Sequence, residues 1–430
     1  MLSYLYSFWA PREEVLTADN VNGLVEKYDH AAVDRLRELV EVGGAGCWPP
    51  RATYDDTWPS CLRPYEAIYH EVAPQMTVAE SCLDDHENRL TIDTFRERLN
   101  ALLCDMIDLA DVEAALSSSD EKAFPAPAWM GFFACIGFLR HAYRWGIVPI
   151  VREAQNEPTL EFPRQLDLPW AILQQRYGIT SAGGNLTSNV YANYTEPLQL
   201  RYPINAALPG VHLKTEQWNS RMFYEMEEKA MPMYRLMALA IARLDAGDSA
   251  GTLRALTAAG EILRDVLRFF YDNLKDENLS TPLWMAYCQG FHGWTLDGID
   301  GVSGGLSLVI RVLDSFLGIR PFPTEEVEAL HLPTAQRNWL NYLREYDIRA
   351  SAKAKGESEA LEILEKMVSQ LRIWRMGHMR RMVPYEGVSR PERKKMTAGK
   401  SVVEDQLAPD EDAMVEHLKA QLAQRLSETH

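Results

Sequence analysis

No apolar run in the 430 residues approaches the roughly 18 needed to span a bilayer, so a membrane anchor is not expected. The opening MLSYLYSFWAP lacks both a basic n-region and a small-residue cleavage site. It does not read as a signal peptide, and the cytoplasm is the expected location. Positive charge is also short. Lys and Arg number 44 against 61 Asp and Glu, giving a formal charge of −17 and a pI near 5.1. Nucleic acid is therefore not the expected partner, because neutralising phosphates needs a clustered excess of Lys and Arg. The one basic cluster, Arg375, Arg380, Arg381 and then Arg390 to Lys395, is local and reads as a solvated helix end. The six cysteines are scattered without a C-x-x-C pair, so neither a zinc site nor a disulfide framework is suggested. Repeats, low-complexity tracts and convincing alternating strands are likewise missing.

What remains is an ordinary globular composition, 47% apolar and 24% charged, in a chain long enough for two or three domains. Helical periodicity dominates, and the expected fold class is all-α. Helical stretches fall at about 31–42, 63–81, 92–109, 128–146, 215–245, 249–274, 282–292, 306–317, 333–346, 357–382 and 412–426, the first and last of them amphipathic. Residues 179–210 are irregular, with Gly183-Gly184, Pro197, Pro203 and Pro209, and read as a connection. The expected organisation is a smaller helical N-terminal domain (1–178), this connection (179–210), a large helical domain (211–387) and a polar tail (388–430).

On a helical wheel, Leu361, Leu364, Met367, Val368, Leu371, Arg375, His378 and Met382 fall within an arc of about 120°. His378 and Arg375 are polar intrusions on that apolar face, three positions apart and so neighbours. A histidine so placed is either a core residue bonded to a carbonyl or a metal or haem ligand. A cation one turn away could neutralise a haem propionate. Both readings stay open on pattern alone. Further upstream, Asp300-Gly301-Val302-Ser303-Gly304-Gly305 is a glycine-rich turn opening a helix. Its plain reading is a turn and N-cap, although small residues there would also let backbone N–H groups approach a flat ligand.

Three segments carry a resemblance to a known family. Leu332-Pro333-Thr334-Ala335-Gln336-Arg337-Asn338-Trp339-Leu340 resembles the M-P-x-x-H-R-x-F-L segment of the indoleamine 2,3-dioxygenase family. Trp374-Arg375-Met376-Gly377-His378, followed by Tyr385, is similar to that family's F-R-x-x-H-(x)6-Y. Ser303-Gly304-Gly305-Leu306-Ser307, then Leu313-Asp314 and Leu317-Gly318-Ile319, resembles its S-A-G-Q-S…F-D…L-G-I. Order and approximate spacing agree over about 140–386.

The resemblance implies haem b, with His378 as the proximal iron ligand and Arg375 as a propionate partner. Ser303 and Gly304 would line the haem edge and the substrate pocket. The implied activity is insertion of O2 into the C2–C3 bond of an indole or tryptophan-related substrate by a monomeric enzyme. Three positions depart from the family. Cys288 stands where its substrate-binding arginine grips the amino-acid carboxylate, which points to a decarboxylated indole or a carboxylate held differently. The mobile G-T-G-G loop is lacking, with Thr397-Ala398-Gly399-Lys400-Ser401 the nearest match. The H-R pair is Gln336-Arg337. Trp284 and Tyr287 are candidates to face an indole, or else ordinary core.

Other readings are a monooxygenation or rearrangement of an indole on the same haem, and a haem-binding protein without turnover. A fourth, from another class, is a helical terpene cyclase. Asp84-Asp85-His86-Glu87 and Asn219…Phe223…Glu227 would be its Mg²⁺ motifs, although Phe223 takes the place of a Ser or Thr ligand.

Overall fold

The computed structural model describes residue 16 and residues 20–76, 84–118, 120–146, 160–195, 198–292, 302–322, 324–382 and 411–430. Tyr385, Pro197, Asp300, Gly301, Arg390 to Lys395 and the 397–401 segment, all named above, lie outside these residues. The described chain is helical nearly throughout, with one two-stranded antiparallel ribbon, β1 (Tyr194–Thr195) and β2 (Gln199–Leu200). No helix among the described residues is long and apolar enough to cross a membrane.

The helices gather around two hydrophobic cores. One centres on α6 (Ala126–Trp145), whose residues are buried on every side, as expected for a helix apolar all round. Around it pack α3 (Arg63–Val72), α4 (Asp85–Met106) and α7 (Arg164–Tyr177), and α5 (Leu109–Ser117) packs on α7. Small residues let the chain come close. A Cβ on Gly131 would stand 2.0 Å from the Thr53 carbonyl oxygen, so the loop before α3 lies directly on α6.

The other core centres on α8 (Gly210–Asp245), whose second half, Ala230 to Leu244, is almost entirely buried. The α9 helix (Ser249–Asn273) returns along it, with Leu256, Leu263, Val266 and Phe270 facing inward at helical spacing. The short α10 (Thr281–Tyr287) and α11 (Gln289–His292) follow, then α12 (Leu308–Phe316), α13 (Glu325–His331), α14 (Thr334–Tyr346), α15 (Ile348–Ala354) and α16 (Ser358–Met382).

The cores cut the chain differently from the boundaries expected above. The first helices, α1 (Val21–Val25) and α2 (Ala31–Glu38), belong with the later core, although residues 1–178 were assigned to an N-terminal domain. Val21, Val25, Val33, Leu36 and Leu39 form an apolar stripe whose complement lies on α8 and α14. The 179–210 connection is not a surface loop. Leu186, Val190, Tyr191 and Tyr194 enter one core, and Ile179, Ala192, Tyr202 and Ile204 enter the other. The tail beyond 388 also packs: α17 (Glu411–Ser427) lies on α16.

Buried carboxylates seal these junctions. Glu227 of α8 accepts from the Trp48 indole (3.0 Å), the Tyr234 hydroxyl (2.8 Å), the Tyr191 hydroxyl (3.2 Å) and the Val309 N–H (2.8 Å). It thereby joins the N-terminal segment, the connection, α8 and α12. Glu216 accepts from the backbone of Ile204 (2.7 Å) and Asn205 (3.0 Å), fixing the end of the connection to the start of α8.

Candidate functional site

The site is built on α16, which runs parallel to α9. Ser249 meets Glu357 at one end, a Cβ on Gly260 would reach Met367, and Arg381 donates to the Leu274 carbonyl (3.2 Å) at the other. The contact is closest at Gly377. A Cβ there would lie 2.7 Å from the Tyr271 hydroxyl oxygen, and that hydroxyl donates to the Trp374 carbonyl. Glycine is what lets α9 approach the turn carrying His378.

The buried face of α16 is the one expected from the wheel, with Leu364, Met367, Val368, Leu371 and Arg375 inside. His378 is partly buried. Its ring stacks on Trp374 (5.2 Å between centroids, 16° between planes) and tilts against Phe270 (5.8 Å). Burial, helped by the nearby charge of Arg375, pushes its pKa down to about 4, so the imidazole is neutral at pH 7. Neutral imidazole is the form that ligates metals. No described residue forms a hydrogen bond with the ring.

The indole N–H of Trp374 and the Gln370 Oε1 are buried without partners as well. Residues 370, 374 and 378 are spaced four apart, so these two unmet buried groups share a helix row with the imidazole. Each such group costs roughly 1–3 kcal/mol. A neutral histidine with no described hydrogen-bond partner, backed by aromatic rings, has the donor chemistry that an iron ligand needs.

Arg375 is placed by other partners than the one the resemblance implied. Its Nη2 pairs with Asp314 of α12 at 2.5 Å and its Nη1 donates to the Thr429 hydroxyl at 2.6 Å. Arg425 of α17 takes the second oxygen of Asp314. Arg311 is 3.7 Å from Asp314 but is committed to Glu328, together with Arg344. Two guanidiniums thus share one buried carboxylate, with Glu428 nearer the surface 3.5 Å from Arg425 and shared with Arg320. Arg375 and Arg425 are thus matched by Asp314 and Glu428, and the one further cation, Arg320, is exposed at the surface.

The remaining expected residues lie apart from this row. Ser303 is buried, and its hydroxyl accepts from the Gly305 N–H (3.2 Å), which is the turn-and-cap arrangement. Gly304 sits against Phe223 of α8, where a Cβ would be 3.0 Å from the ring. Trp284 stands parallel to His292 at 6.0 Å. Cys288 interrupts the expected 282–292 helix with non-helical backbone (φ −121°) and is fully buried, its sulfur accepting from the Asn205 amide (3.3 Å). Among the described residues, no hydrogen bond or ring contact links Trp284, Ser303 or Gly304 to His378.

The carboxylates of the terpene-cyclase reading are occupied elsewhere. Asp84 caps α4 by accepting from His86 (2.9 Å) and Glu87 (3.2 Å), and Glu227 is the buried junction described above. No three His, Cys, Asp or Glu side chains converge as a metal cage among the described residues.

Sequence reasoning passed over three buried histidines. His292 lies among Phe138, Trp284 and Phe291 with both ring nitrogens unpartnered, and His331 is similarly unpartnered. His141 of α6 ties that helix to α11 and to the connection. Its Nδ1–H donates to the Phe291 carbonyl (2.6 Å), and its Nε2 accepts from the Gly184 N–H (2.9 Å). An isolated histidine in an apolar run was the only available signal, and it does not reveal a partner.

Burial depresses these pKa values, to about 3 for His141 and about 4 for His292 and His331. The unfolded chain, with histidines near 6.5, binds more protons below that pH. Stability should therefore be fully present above pH 6.5 and be lost as pH falls toward 4. The buried Glu216, raised to about 7, works in the opposite sense over the same interval, so calorimetry from pH 7 to 5 should compare variants: the midpoint of His141→Gln should fall less, or rise more, than that of the parent. The same pH dependence in parent and His141→Gln would contradict the assignment.

No protein-family model matches the chain, and no curated protein matches it in sequence.

Proposed function

We propose that the chain is a haem-dependent oxygenase of the indoleamine 2,3-dioxygenase type, a cytoplasmic monomer acting on an indole or tryptophan-related substrate. The observation that supports this most is the neutral, unpartnered ring of His378, backed by Trp374 and Phe270 on the row that also carries the unmet Trp374 N–H. A haem b bound there would supply the iron chemistry that activates O2 toward the indole C2–C3 bond.

The chain's own part is ligation, orientation and exclusion of water. His378 would hold the iron through its free nitrogen. Trp374 and Phe270 fix the ring plane and keep the proximal side dry. Arg375 would meet a propionate only by giving up Asp314 or Thr429, which hold its guanidinium here. Ser303 and Gly304 are assigned to the haem edge, and Trp284 and Cys288 to the substrate side, on the resemblance alone.

One observation favours a second reading, in which the same haem performs a monooxygenation or rearrangement. Cys288 is buried against Asn205 and cannot grip a carboxylate as the family's arginine would. Incubation with ferrous haem, an indole and labelled O2 separates the readings. Dioxygenation places two label atoms in the product; monooxygenation, with an added two-electron reductant, places one and releases the other as water; a rearrangement changes the indole without label, and a haem-binding protein without turnover leaves it unchanged. Failure of the purified protein to develop a Soret band with added haem would sink all three.

A further inference from the structure

The last helix is bound where it has leverage on the candidate site. Arg425 reaches two points on the α12 side, one oxygen of Asp314 and the Arg320 carbonyl (2.5 Å). Thr429, almost completely buried, donates to the Arg425 carbonyl (2.9 Å). With its proton thus directed, its oxygen is left to accept from Arg375 Nη1 (2.6 Å). The 411–430 segment therefore staples α12 to α16 through the residue one turn before His378. Without it, Arg375 would keep only Asp314, and its guanidinium could swing on a single contact. A charged hydrogen bond fixes orientation best when it is one of several on the same planar group.

We infer that α17 is a clamp on the end of α16, with Arg425 and Thr429 as positioning residues for Arg375 and, through it, for the imidazole of His378. The importance of that position rests on reading His378 as an iron ligand. The mechanical claim, that docking of 411–430 holds residues 371–382 in place, is separable from it.

The test uses the full chain and amide hydrogen exchange. Arg425→Gln should speed exchange across 371–382 by roughly tenfold or more while leaving α6 unchanged, since the opening is local. Arg425→Lys, which keeps the charge, should recover most of the protection. Thr429→Val, which removes one hydrogen bond and little volume, should give a smaller rise confined to the same segment. With haem added, Arg425→Gln should also lose haem several-fold faster than the parent, and Arg425→Lys should not.

Wild-type exchange rates over 371–382 in both Arg425→Gln and Thr429→Val would overturn the clamp. Should Arg425→Gln fail to fold, Thr429→Val decides. If the parent takes up no haem, the ligand assignment falls, and the exchange comparison still decides the clamp.

Discussion

Replacing His378 by alanine should abolish specific haem uptake, with the Soret band lost or strongly shifted and affinity down by more than about a hundredfold. The expectation follows from what surrounds the ring. Its described neighbours are the rings of Trp374 and Phe270, neither of which ligates iron through a basic nitrogen. The histidines at 141, 292 and 331 belong to other parts of the structure, and none is in ring contact with His378. The substitution removes a partly buried imidazole that holds no described hydrogen bond, so the helix should survive. Added free imidazole should then enter the gap and restore part of the absorption, which controls for misfolding. Full retention of the haem spectrum in His378→Ala would remove the basis of the proposed function.

The second large effect concerns stability and does not depend on haem. Glu227→Ala should lower unfolding free energy by ~4 kcal/mol or more, because each donor left unmet in the interior costs about 1–3 kcal/mol. At least four donors lose their acceptor: the Trp48 indole, the Val309 N–H and the hydroxyls of Tyr191 and Tyr234. They come from four different stretches of chain, so the loss is a parting of segments as well as a sum of bonds. Burial raises the pKa of the carboxyl, while the donors around it pull the other way. Glu227→Gln should be intermediate, since its amide keeps one acceptor oxygen but turns N–H groups toward donors. Urea unfolding followed by tryptophan fluorescence reads the difference directly. A loss below about 1 kcal/mol would mean that the network is not sealing the junction.

Much of this was legible in the chain. The wheel that put Leu364, Met367, Val368, Leu371, Arg375 and His378 on one face of α16 describes the observed packing. Long helices with a strong 3.6-residue repeat, such as α8, α9 and α14, lie within a few residues of their expected bounds. Short or polar helices were missed because tertiary contacts decide them. The α7 helix carries Pro169 inside it and is held by packing on α6 and α5. The α5, α13 and α15 helices are only seven to nine residues long, too short to display a repeat.

The partners of Arg375 were invisible for a different reason. Asp314 lies 61 residues earlier and Thr429 lies 54 later. Nothing local marks a surface-looking aspartate or threonine as their mate. Glu216 likewise reads as an ordinary charge on a helix, and Glu227 as at most a candidate Mg²⁺ ligand, until the segments that donate to them are folded in. Periodicity tells which face must be covered. It does not tell by what.

That same ignorance confronts the polypeptide while it is being made. The stripe on α1 and α2 emerges early, yet its complements on α8 and α14 follow about 190 and 300 residues later. At a synthesis rate of roughly 5–20 residues per second, the stripe waits some tens of seconds without its mate. Closure then requires a loop of most of the chain, the slow kind of contact. Stalled or truncated chains ending before 346 should accordingly be chaperone substrates, carrying an uncovered apolar edge at their leading end.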